Sequence, residues 1–305
     1  MQGKIVKTFG RYYTVQTGDM QINSVLRGRI KQDARLKSYS EPVCVGDVVD
    51  YEPDAQGLGI ISYVHKRKNT FTRKDKTGSK EDLIAANIDQ IVVVQAFAEP
   101  KFNLRFVDRI LVRGAKERAP CLLCLNKQDL SVPEDLDYVL SYYKGVDLTT
   151  MPVCALTGAG CGELADALVG KTTLFIGSSG VGKSALLNKL FGQTLKTGAI
   201  SQSTGKGRHT TTNAEMIIAE GETCVIDTPG LKEFGLADIA AEDLAGYFFD
   251  FYPYAAECRF SHCTHDHEPD CAVQKAADAG EISVGRYKSY LNILASLKEY
   301  KAFMY

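Results

Sequence analysis

A glycine-rich octapeptide is the clearest sign of chemistry in this chain of 305 residues. Gly177-Ser178-Ser179-Gly180-Val181-Gly182-Lys183-Ser184 fits the pattern G-x-x-x-x-G-K-[ST] without a mismatch. In such a loop, backbone N–H groups surround phosphates, the lysine reaches the β- and γ-phosphates, and the last hydroxyl ligates Mg²⁺. An apolar run at residues 172–176 precedes the loop, and a helical pattern that includes Ala185 follows it. The sequence therefore predicts a nucleoside-triphosphate site at these residues.

A second motif, Asn126-Lys127-Gln128-Asp129, has the NKxD form and predicts that the bound base is guanine. The Asp129 carboxylate can accept hydrogen bonds from the ring N–H and the amino group of guanine, whereas adenine offers the wrong pattern. An unpaired buried carboxylate is costly, so this contact would discriminate against ATP. We expect the stem of Lys127 to lie over the base.

The tetrapeptide Ala155-Leu156-Thr157-Gly158 resembles the loop that supports guanine through backbone amides. Cys154 stands before it, where a serine is usual. An ordinary turn between a strand and a helix is an equally good interpretation of this segment.

The tetrapeptide Asp227-Thr228-Pro229-Gly230 has the DxxG form. We expect Asp227 to hold Mg²⁺ through a water molecule, alongside Ser184, and the Gly230 N–H to bond the γ-phosphate. The next residue is Leu231, at a position where signalling GTPases have a glutamine that orients the attacking water. An aliphatic side chain cannot orient water, so we expect slow intrinsic hydrolysis.

The segment 205–212, Gly-Lys-Gly-Arg-His-Thr-Thr-Thr, lies where the first switch of a GTPase is expected. Thr210 or Thr211 is the candidate ligand for Mg²⁺ and the γ-phosphate, and the sequence does not choose between them. His209 is the candidate catalytic residue, because an imidazole can orient or deprotonate water near neutral pH. The alternative is a basic loop whose histidine faces solvent.

The order of these motifs is rotated relative to ordinary GTPases, in which the phosphate loop comes first, DxxG second and NKxD last. Here NKxD comes before the phosphate loop and DxxG follows it. Residues 87–238 also alternate between strand and helix patterns, which is typical of a mostly parallel sheet with helices on both faces. The sequence therefore predicts a circularly permuted P-loop GTPase domain of the α/β class over residues 87–238.

Residues 1–70 contain five short strand patterns separated by turn residues, which favours an all-β barrel of the OB type. A small barrel of another topology remains the alternative. Residues 71–86 are predicted to be a basic linker, in which Phe71 could stack on a base. Residues 1–80 carry 15 Lys and Arg against eight Asp and Glu, although the whole chain has a net charge of only −1. This excess of positive charge indicates either a polyanionic partner or a solvated surface.

Residues 239–305 are predicted to form a helical zinc-binding domain. Cys258, Cys263, His265 and Cys271 offer three thiolates and one imidazole, a full tetrahedral shell for structural zinc with no open position. His262 and His267 are alternatives for the imidazole ligand. The other cysteines are scattered and are expected to be buried and reduced.

The chain has no apolar run near 18 residues and its N-terminus lacks the apolar core of a signal peptide, so we expect a cytoplasmic protein without membrane contact.

Taken in order, NKQD, GSSGVGKS, GRHTTT, DTPGL and the Cys/His cluster resemble the RsgA/YjeQ family of circularly permuted GTPases, over nearly the whole chain. The resemblance implies GTP or GDP with Mg²⁺ as ligands, one structural Zn²⁺, and the small ribosomal subunit with its rRNA as partner. It implies a late step of subunit maturation and GTP hydrolysis stimulated by the subunit. It also supports His209 as the catalytic residue and the Cys3His set as zinc ligands. Apart from the resemblance, we expect a monomer. A second hypothesis is an RNA-associated binding module in which GTP is a slowly hydrolysed ligand.

Overall fold

A computed structural model describes residues 1–74, 81–195, 214–228, 235–236 and 238–302. Within these residues the chain forms a β-barrel, an α/β sheet and a C-terminal group of helices. The α/β sheet carries the phosphate loop and the NKxD motif, and the C-terminal helices carry the Cys/His cluster.

The N-terminal barrel consists of five strands: β1 Gln2–Phe9, β2 Tyr12–Thr17, β3 Met20–Leu26, β4 Val48–Pro53 and β5 Gly59–Val64. The strand order is β1-β2-β3-β5-β4, and β4 pairs back with β1 to close the barrel. β3 and β5 are parallel, whereas the other pairs are antiparallel. Alternate side chains such as Ile5, Val49 and Ile61 fill the interior. The predicted OB-type barrel is therefore confirmed.

The residues predicted as a basic linker contain two strands, β6 Thr70–Lys74 and β7 Glu81–Ala86, which pair as an antiparallel ribbon. Phe71 is fully buried in the core cluster of the α/β domain that also contains Ile84 and Ala85, and it pairs with Ala85 across the ribbon. The expectation that Phe71 could stack on a base is therefore wrong. The domain boundaries drawn from the sequence remain predictions.

The α/β sheet contains six strands: β8 Gln90–Ala96, β9 Cys121–Asn126, β10 Thr149–Pro152, β11 Thr172–Gly177, β12 Glu215–Ile218 and β13 Cys224–Asp227. Their order is β10-β9-β8-β11-β13-β12, and only β12 of these six runs antiparallel to its neighbour. β11, which leads into the phosphate loop, lies between β8 and β13. Because the parallel strands end at one edge, the loops after β9, β10 and β11 lie together there, beside Thr228 at the end of β13.

Four helices cover this sheet: α1 Leu104–Glu117, α2 Pro133–Tyr142, α3 Cys161–Leu168 and α4 Lys183–Leu195. α1 and α2 contribute to one core, which includes Ile91 and Val93 of β8. α3 and α4 contribute to a second core, which includes Val92 and Val94 of the same strand. Successive residues of β8 therefore point into different cores, as in a sheet covered on both faces.

The barrel and the α/β sheet are continuous, because β1 pairs with β12 at Lys7 and Glu215. The side chains of these two residues form an ion pair at 3.0 Å. β12 begins three residues after the predicted switch segment 205–212, so the strand that leaves this segment joins the barrel directly.

The C-terminal region contains the short 3₁₀ helices Ala241–Tyr247 and Phe249–Phe251, followed by α5 Tyr252–Ala255, α6 Ala272–Asp278 and α7 Val284–Ala302. Its core is rich in aromatic rings, among them Phe248, Phe251 and Tyr290.

This region is fastened to α1 by a buried ionic group centred on Arg286. The Arg286 guanidinium contacts Asp108 of α1 at 2.5 Å and Asp250 at 3.3 Å, and it lies over the ring of Phe248. Tyr142 of α2 donates a hydrogen bond of 2.7 Å to Asp108. Burial lowers the pKa of Arg286, but the charges of Asp108 and Asp250 outweigh this effect and raise it above its usual value.

Among the described helices, none has the length and apolar character needed to cross a bilayer.

Candidate functional site

The phosphate loop owes its shape to two glycines. Gly182 has a φ of +87°, and a Cβ added there would lie 2.3 Å from the amide nitrogen of Asn126. A Cβ on Gly177 would lie 2.6 Å from the carbonyl oxygen of Val94. Any side chain at these positions would therefore push the loop away from β8 and β9. Ser178, Ser179 and Gly180 complete the turn, and Val181 is buried beneath it.

Asn126, at the end of β9, joins the two motifs that the sequence separates. Its side-chain amide donates a hydrogen bond of 2.9 Å to the carbonyl of Val181 in the phosphate loop. Its side-chain oxygen accepts a hydrogen bond of 3.0 Å from the Ala155 N–H. Asn126 is 1% exposed, so both bonds are shielded from water. One buried amide thus brings the phosphate loop, the NKxD motif and the loop at residues 154–158 together.

The other two recognition residues of the NKxD motif lie beside Asn126. Lys127 has a φ of +63°, and its ammonium group donates a hydrogen bond to the carbonyl of Glu99. Asp129 is exposed, and its carboxylate accepts a hydrogen bond of 3.1 Å from the Cys154 thiol. Both side chains are therefore held by the loops that follow β8 and β10.

The loop at residues 154–158 turns tightly against Asn126. The Gly158 N–H donates to the Cys154 carbonyl at 2.8 Å, and the Cys154 N–H donates to the Ala159 carbonyl at 2.9 Å. Leu156 at its tip is 83% exposed. This geometry brings the predicted base-supporting residues Ala155 and Leu156 next to the NKxD motif.

The charged groups expected at the phosphates also meet. Lys183 is 7% exposed, and its ammonium group contacts both the Asp227 carboxylate and the Thr228 carbonyl. Ser184 and Ala185 are exposed in the first turn of α4. The N-terminus of α4, a helix that is kinked at Phe191, favours anions there.

Several predicted site residues lie outside the described residues: His209, Thr210, Thr211, Gly230 and Leu231.

The Cys/His cluster has the dimensions of a tetrahedral metal site. The ligand atoms of Cys258, Cys263, His265 and Cys271 all lie within 4.8 Å of one another. The Cys258–Cys271 sulfur distance is 3.9 Å, and the His265 Nδ1 lies 3.6 Å from Cys258 Sγ and 3.4 Å from Cys271 Sγ. Zinc bonds of 2.3 Å to sulfur and 2.0–2.1 Å to nitrogen imply tetrahedral edges of roughly 3.8 and 3.5 Å. The residues therefore fit a zinc ion.

The surroundings of the cluster favour metal binding by His265. Burial lowers the pKa of His265, which favours the neutral imidazole that a metal requires. Tyr287 of α7 donates a hydrogen bond of 2.7 Å to the His265 carbonyl. The Glu268 carboxylate accepts hydrogen bonds of 2.7 Å from the backbone N–H and the hydroxyl of Thr264. His267, an alternative ligand in the sequence analysis, is exposed and does not belong to the cluster.

Sequence reasoning missed a contact of α1 with Gly235 and Asp238, which follow the DxxG motif in the chain. Arg113 of α1 is nearly buried and forms an ion pair of 2.5 Å with Asp238. It also donates a hydrogen bond of 3.3 Å to the Gly235 carbonyl. Arg113 lies among the apolar residues of an amphipathic helix, and an arginine on that buried face was the signal that could have identified it.

Two family models match this chain. The model for the RsgA GTPase covers residues 64–237, and the model for the RsgA N-terminal domain covers residues 2–61. The chain belongs to the RsgA GTPase family. As a member of the RsgA family it is a circularly permuted P-loop GTPase, and the predicted fold class is confirmed.

Full-length relatives agree with the RsgA assignment. The chain is 38% identical to the protein named Small ribosomal subunit biogenesis GTPase RsgA from Phocaeicola vulgatus, covering 99% of this chain and 98% of that protein. It is 40% identical to the protein of the same name from Chlorobaculum parvum, covering 98% and 99% respectively.

Two crystal structures show the same RsgA architecture. YjeQ from Thermotoga maritima is 32% identical and superposes with a TM-score of 0.76, covering 97% of this chain and 98% of that chain. YloQ, described as a circularly permuted GTPase, is 27% identical with a TM-score of 0.72, covering 98% and 95% respectively.

Proposed function

We propose that this chain hydrolyses GTP during late maturation of the small ribosomal subunit, and that its nucleotide state controls its binding to rRNA. One observation carries the enzymatic part. The hydrogen bond between Asn126 and Val181 supports a single pocket built from the base-reading motif and the phosphate loop. The ribosomal part is supported by the full-length relatives, which are named Small ribosomal subunit biogenesis GTPase RsgA.

In this proposal the backbone N–H groups of residues 177–185 bind the phosphates, and Lys183 contacts the β- and γ-phosphates. Ser184 and Asp227 would hold Mg²⁺, the serine with its hydroxyl and the aspartate with its carboxylate. Mg²⁺, when bound, neutralises charge on the phosphates. This arrangement is supported by the hydrogen bond that Lys183 donates to Asp227, because it places the group assigned to the phosphates next to the group assigned to the metal.

The base is recognised by the loops after β9 and β10. Asp129 accepts hydrogen bonds from guanine, and the backbone amides of Ala155 and Leu156 support the ring. Lys127 covers the base with its aliphatic stem. The contact between its ammonium group and the Glu99 carbonyl supports this role, because it fixes the end of an otherwise flexible side chain.

For hydrolysis we assign the water-orienting role to His209, because Leu231 cannot perform it. Thr210 or Thr211 binds Mg²⁺ and the γ-phosphate, and the Gly230 N–H donates to the γ-phosphate. These assignments depend on the sequence motifs alone. A slow intrinsic rate follows, and the small subunit is the partner that stimulates the reaction.

Two connections would carry the nucleotide state outward. β12 follows the proposed first switch and pairs with β1 of the barrel, where Lys7 and Glu215 form an ion pair. The residues after DxxG reach Asp238, which pairs with Arg113 on α1. The same helix contacts the C-terminal region through the buried Arg286. Both regions that we assign to rRNA are therefore attached to residues that follow the segment 205–212 or the DxxG motif in the chain.

We further propose that Cys258, Cys263, His265 and Cys271 bind one structural Zn²⁺. Three sulfurs and one nitrogen fill a tetrahedral shell and leave no position for a substrate. The ion would hold the residues between α5 and α6 in a fixed shape, which suits an RNA-binding surface rather than a catalytic one.

The N-terminal segment, residues 1–80, is proposed to bind the phosphate backbone of rRNA, since it carries a net charge of +7. Such a protein would act as a monomer in the cytoplasm, where ribosomal subunits mature.

Cosedimentation with purified small subunits tests this function. Binding should be tighter with a non-hydrolysable GTP analogue than with GDP, and it should weaken steeply as salt is raised. Equal binding with both nucleotides would contradict the proposal that the nucleotide state controls binding. An affinity that does not change with salt concentration would contradict the proposed contact with the RNA backbone.

A further inference from the structure

Cys154 makes a contact that motif comparison alone did not reveal. From the sequence, its departure from serine concerned only the backbone loop that supports the base. In the structure its Sγ lies 3.1 Å from Oδ1 of Asp129, across the loops that follow β9 and β10. We propose that the Cys154 thiol is a positioning residue for guanine selectivity, because it holds the Asp129 carboxylate in the orientation that the base requires.

The thiol is itself fixed on its other side. The Thr157 N–H donates to Cys154 Sγ at 3.4 Å, so the sulfur accepts one hydrogen bond from its own loop and donates one to Asp129. Cys154 is 2% exposed, whereas Asp129 is exposed. A buried thiol that makes two hydrogen bonds therefore fixes a carboxylate that would otherwise rotate in water.

The orientation of Asp129 matters because guanine presents two donors, the ring N–H and the amino group. A carboxylate satisfies both only when its two oxygens face the edge of the base. A carboxylate already held in that plane loses less rotational freedom on binding. Since the thiol contacts Oδ1, it restricts the torsion that sets this plane.

The expected readout is selectivity between GTP and ITP, whose base lacks the amino group. Cys154→Ala should reduce the ratio of kcat/KM for GTP to that for ITP by about 2- to 10-fold, as one hydrogen bond of modest strength predicts. The change should appear mainly in KM for GTP. Cys154→Ser, which restores a donor of similar size, should return the ratio to near the wild-type value.

Cys124→Ala is the matched control. Cys124 is also a buried cysteine, in the middle of β9. Its substitution by alanine likewise removes one buried thiol from the core. This variant should keep the wild-type ratio, so a general loss of packing would be recognised. If Cys154→Ala does not fold, Cys154→Val fills the space without a donor and should show the same loss of selectivity.

An unchanged ratio in both the alanine and valine variants, or a serine variant that behaves like alanine, would overturn the proposal. The inference rests on the proposed role of Asp129 in reading guanine, so Asp129→Asn is assayed in parallel with XTP. A shift of preference to XTP in Asp129→Asn, together with a neutral Cys154→Ala, would reject the role of the thiol alone. No shift in Asp129→Asn would instead reject the proposed role of Asp129.

Discussion

Asn126 donates a 2.9 Å hydrogen bond to the carbonyl of Val181, although 55 residues separate them. In this rotated chain the base-reading motif is made before the phosphate loop, yet both reach the same edge of the sheet. The reason is the strand order, in which β8 lies between β9 and β11 and pairs in parallel with each. Rotation of the chain changes which loops are covalent neighbours and leaves the neighbours in the sheet unchanged.

Asn126→Ala should weaken GTP binding by roughly 30-fold, because two buried hydrogen bonds of about 1 kcal/mol each are lost. The two loops would no longer be held together, so GDP binding should weaken to a similar extent. Fluorescence titration with a labelled guanine nucleotide measures both affinities. The exposed neighbour Gln128 provides a matched control, and Gln128→Ala should bind as the wild type does. An affinity for Asn126→Ala within twofold of the control would show that the bridge is unimportant.

The motifs of the site could be predicted from the sequence because each is short and local. The phosphate loop requires glycines at fixed spacing, and the Cys3His set lies within 14 residues. Contacts between distant segments have no motif of fixed spacing that would name both partners. The ion pair between Arg113 and Asp238 spans 125 residues, and the contact of Cys154 with Asp129 depends on how two loops face each other.

The same limitation explains the error at residues 71–86. The basic and polar residues there favoured a linker. In the structure Phe71 is paired with Ala85 in the β6–β7 ribbon and is buried by tertiary packing. A single aromatic residue in a charged segment does not reveal which core receives it. By contrast, five strand patterns in the first 70 residues predicted the barrel, because alternation is a local property of each strand.

Purified protein should contain one zinc ion per chain, and Cys271→Ser should lose most of it. Cys271 also caps α6 by accepting a hydrogen bond from the Gln274 N–H, so the cluster and the start of α6 share this residue. Because metal binding stabilises the folded state, loss of the metal should lower the melting temperature of the C-terminal region. Elemental analysis and thermal unfolding with a chelator measure both effects. His267→Ala is the control, since His267 is exposed and lies outside the cluster. Full zinc content in Cys271→Ser would contradict the assigned ligand set.

Arg286→Ala should destabilise the protein by about 3–5 kcal/mol, because Asp108 and Asp250 would be left buried without their shared cation. Urea unfolding measures this loss of free energy. Lys288 lies two residues along the same helix and is exposed, so Lys288→Ala should change the free energy of unfolding by less than about 0.5 kcal/mol. Equal stability of the two variants would mean that the ionic group does not hold the C-terminal region to α1.

Asp238 should make stability depend on pH in the acid range. Burial raises the pKa of Asp238, but hydrogen bonds and charge from Arg113 and Lys116 outweigh it and lower the pKa from 3.8 to about 2. A depressed carboxyl pKa stabilises the fold above the unfolded value and loses this contribution as the pH falls from 3.8 towards 2. The free energy of unfolding of Asp238→Asn should therefore be lower than that of the wild type by about 1–2 kcal/mol at neutral pH. The two values should approach each other near pH 2, where Asp238 becomes protonated in the folded protein.

Urea unfolding across this pH range checks the Asp238 prediction, with the exposed Asp147→Asn as control. A constant difference between wild type and Asp238→Asn at every pH would contradict the titration of Asp238.

The most direct test of the whole account is GTP turnover with and without purified small ribosomal subunits, with large subunits as the comparison. We expect turnover to be slow alone and to rise more than about tenfold with small subunits only, because a partner must complete a site that has Leu231 after its DxxG motif. His209→Ala should remove most of this rise. Equal turnover with and without small subunits would contradict the account.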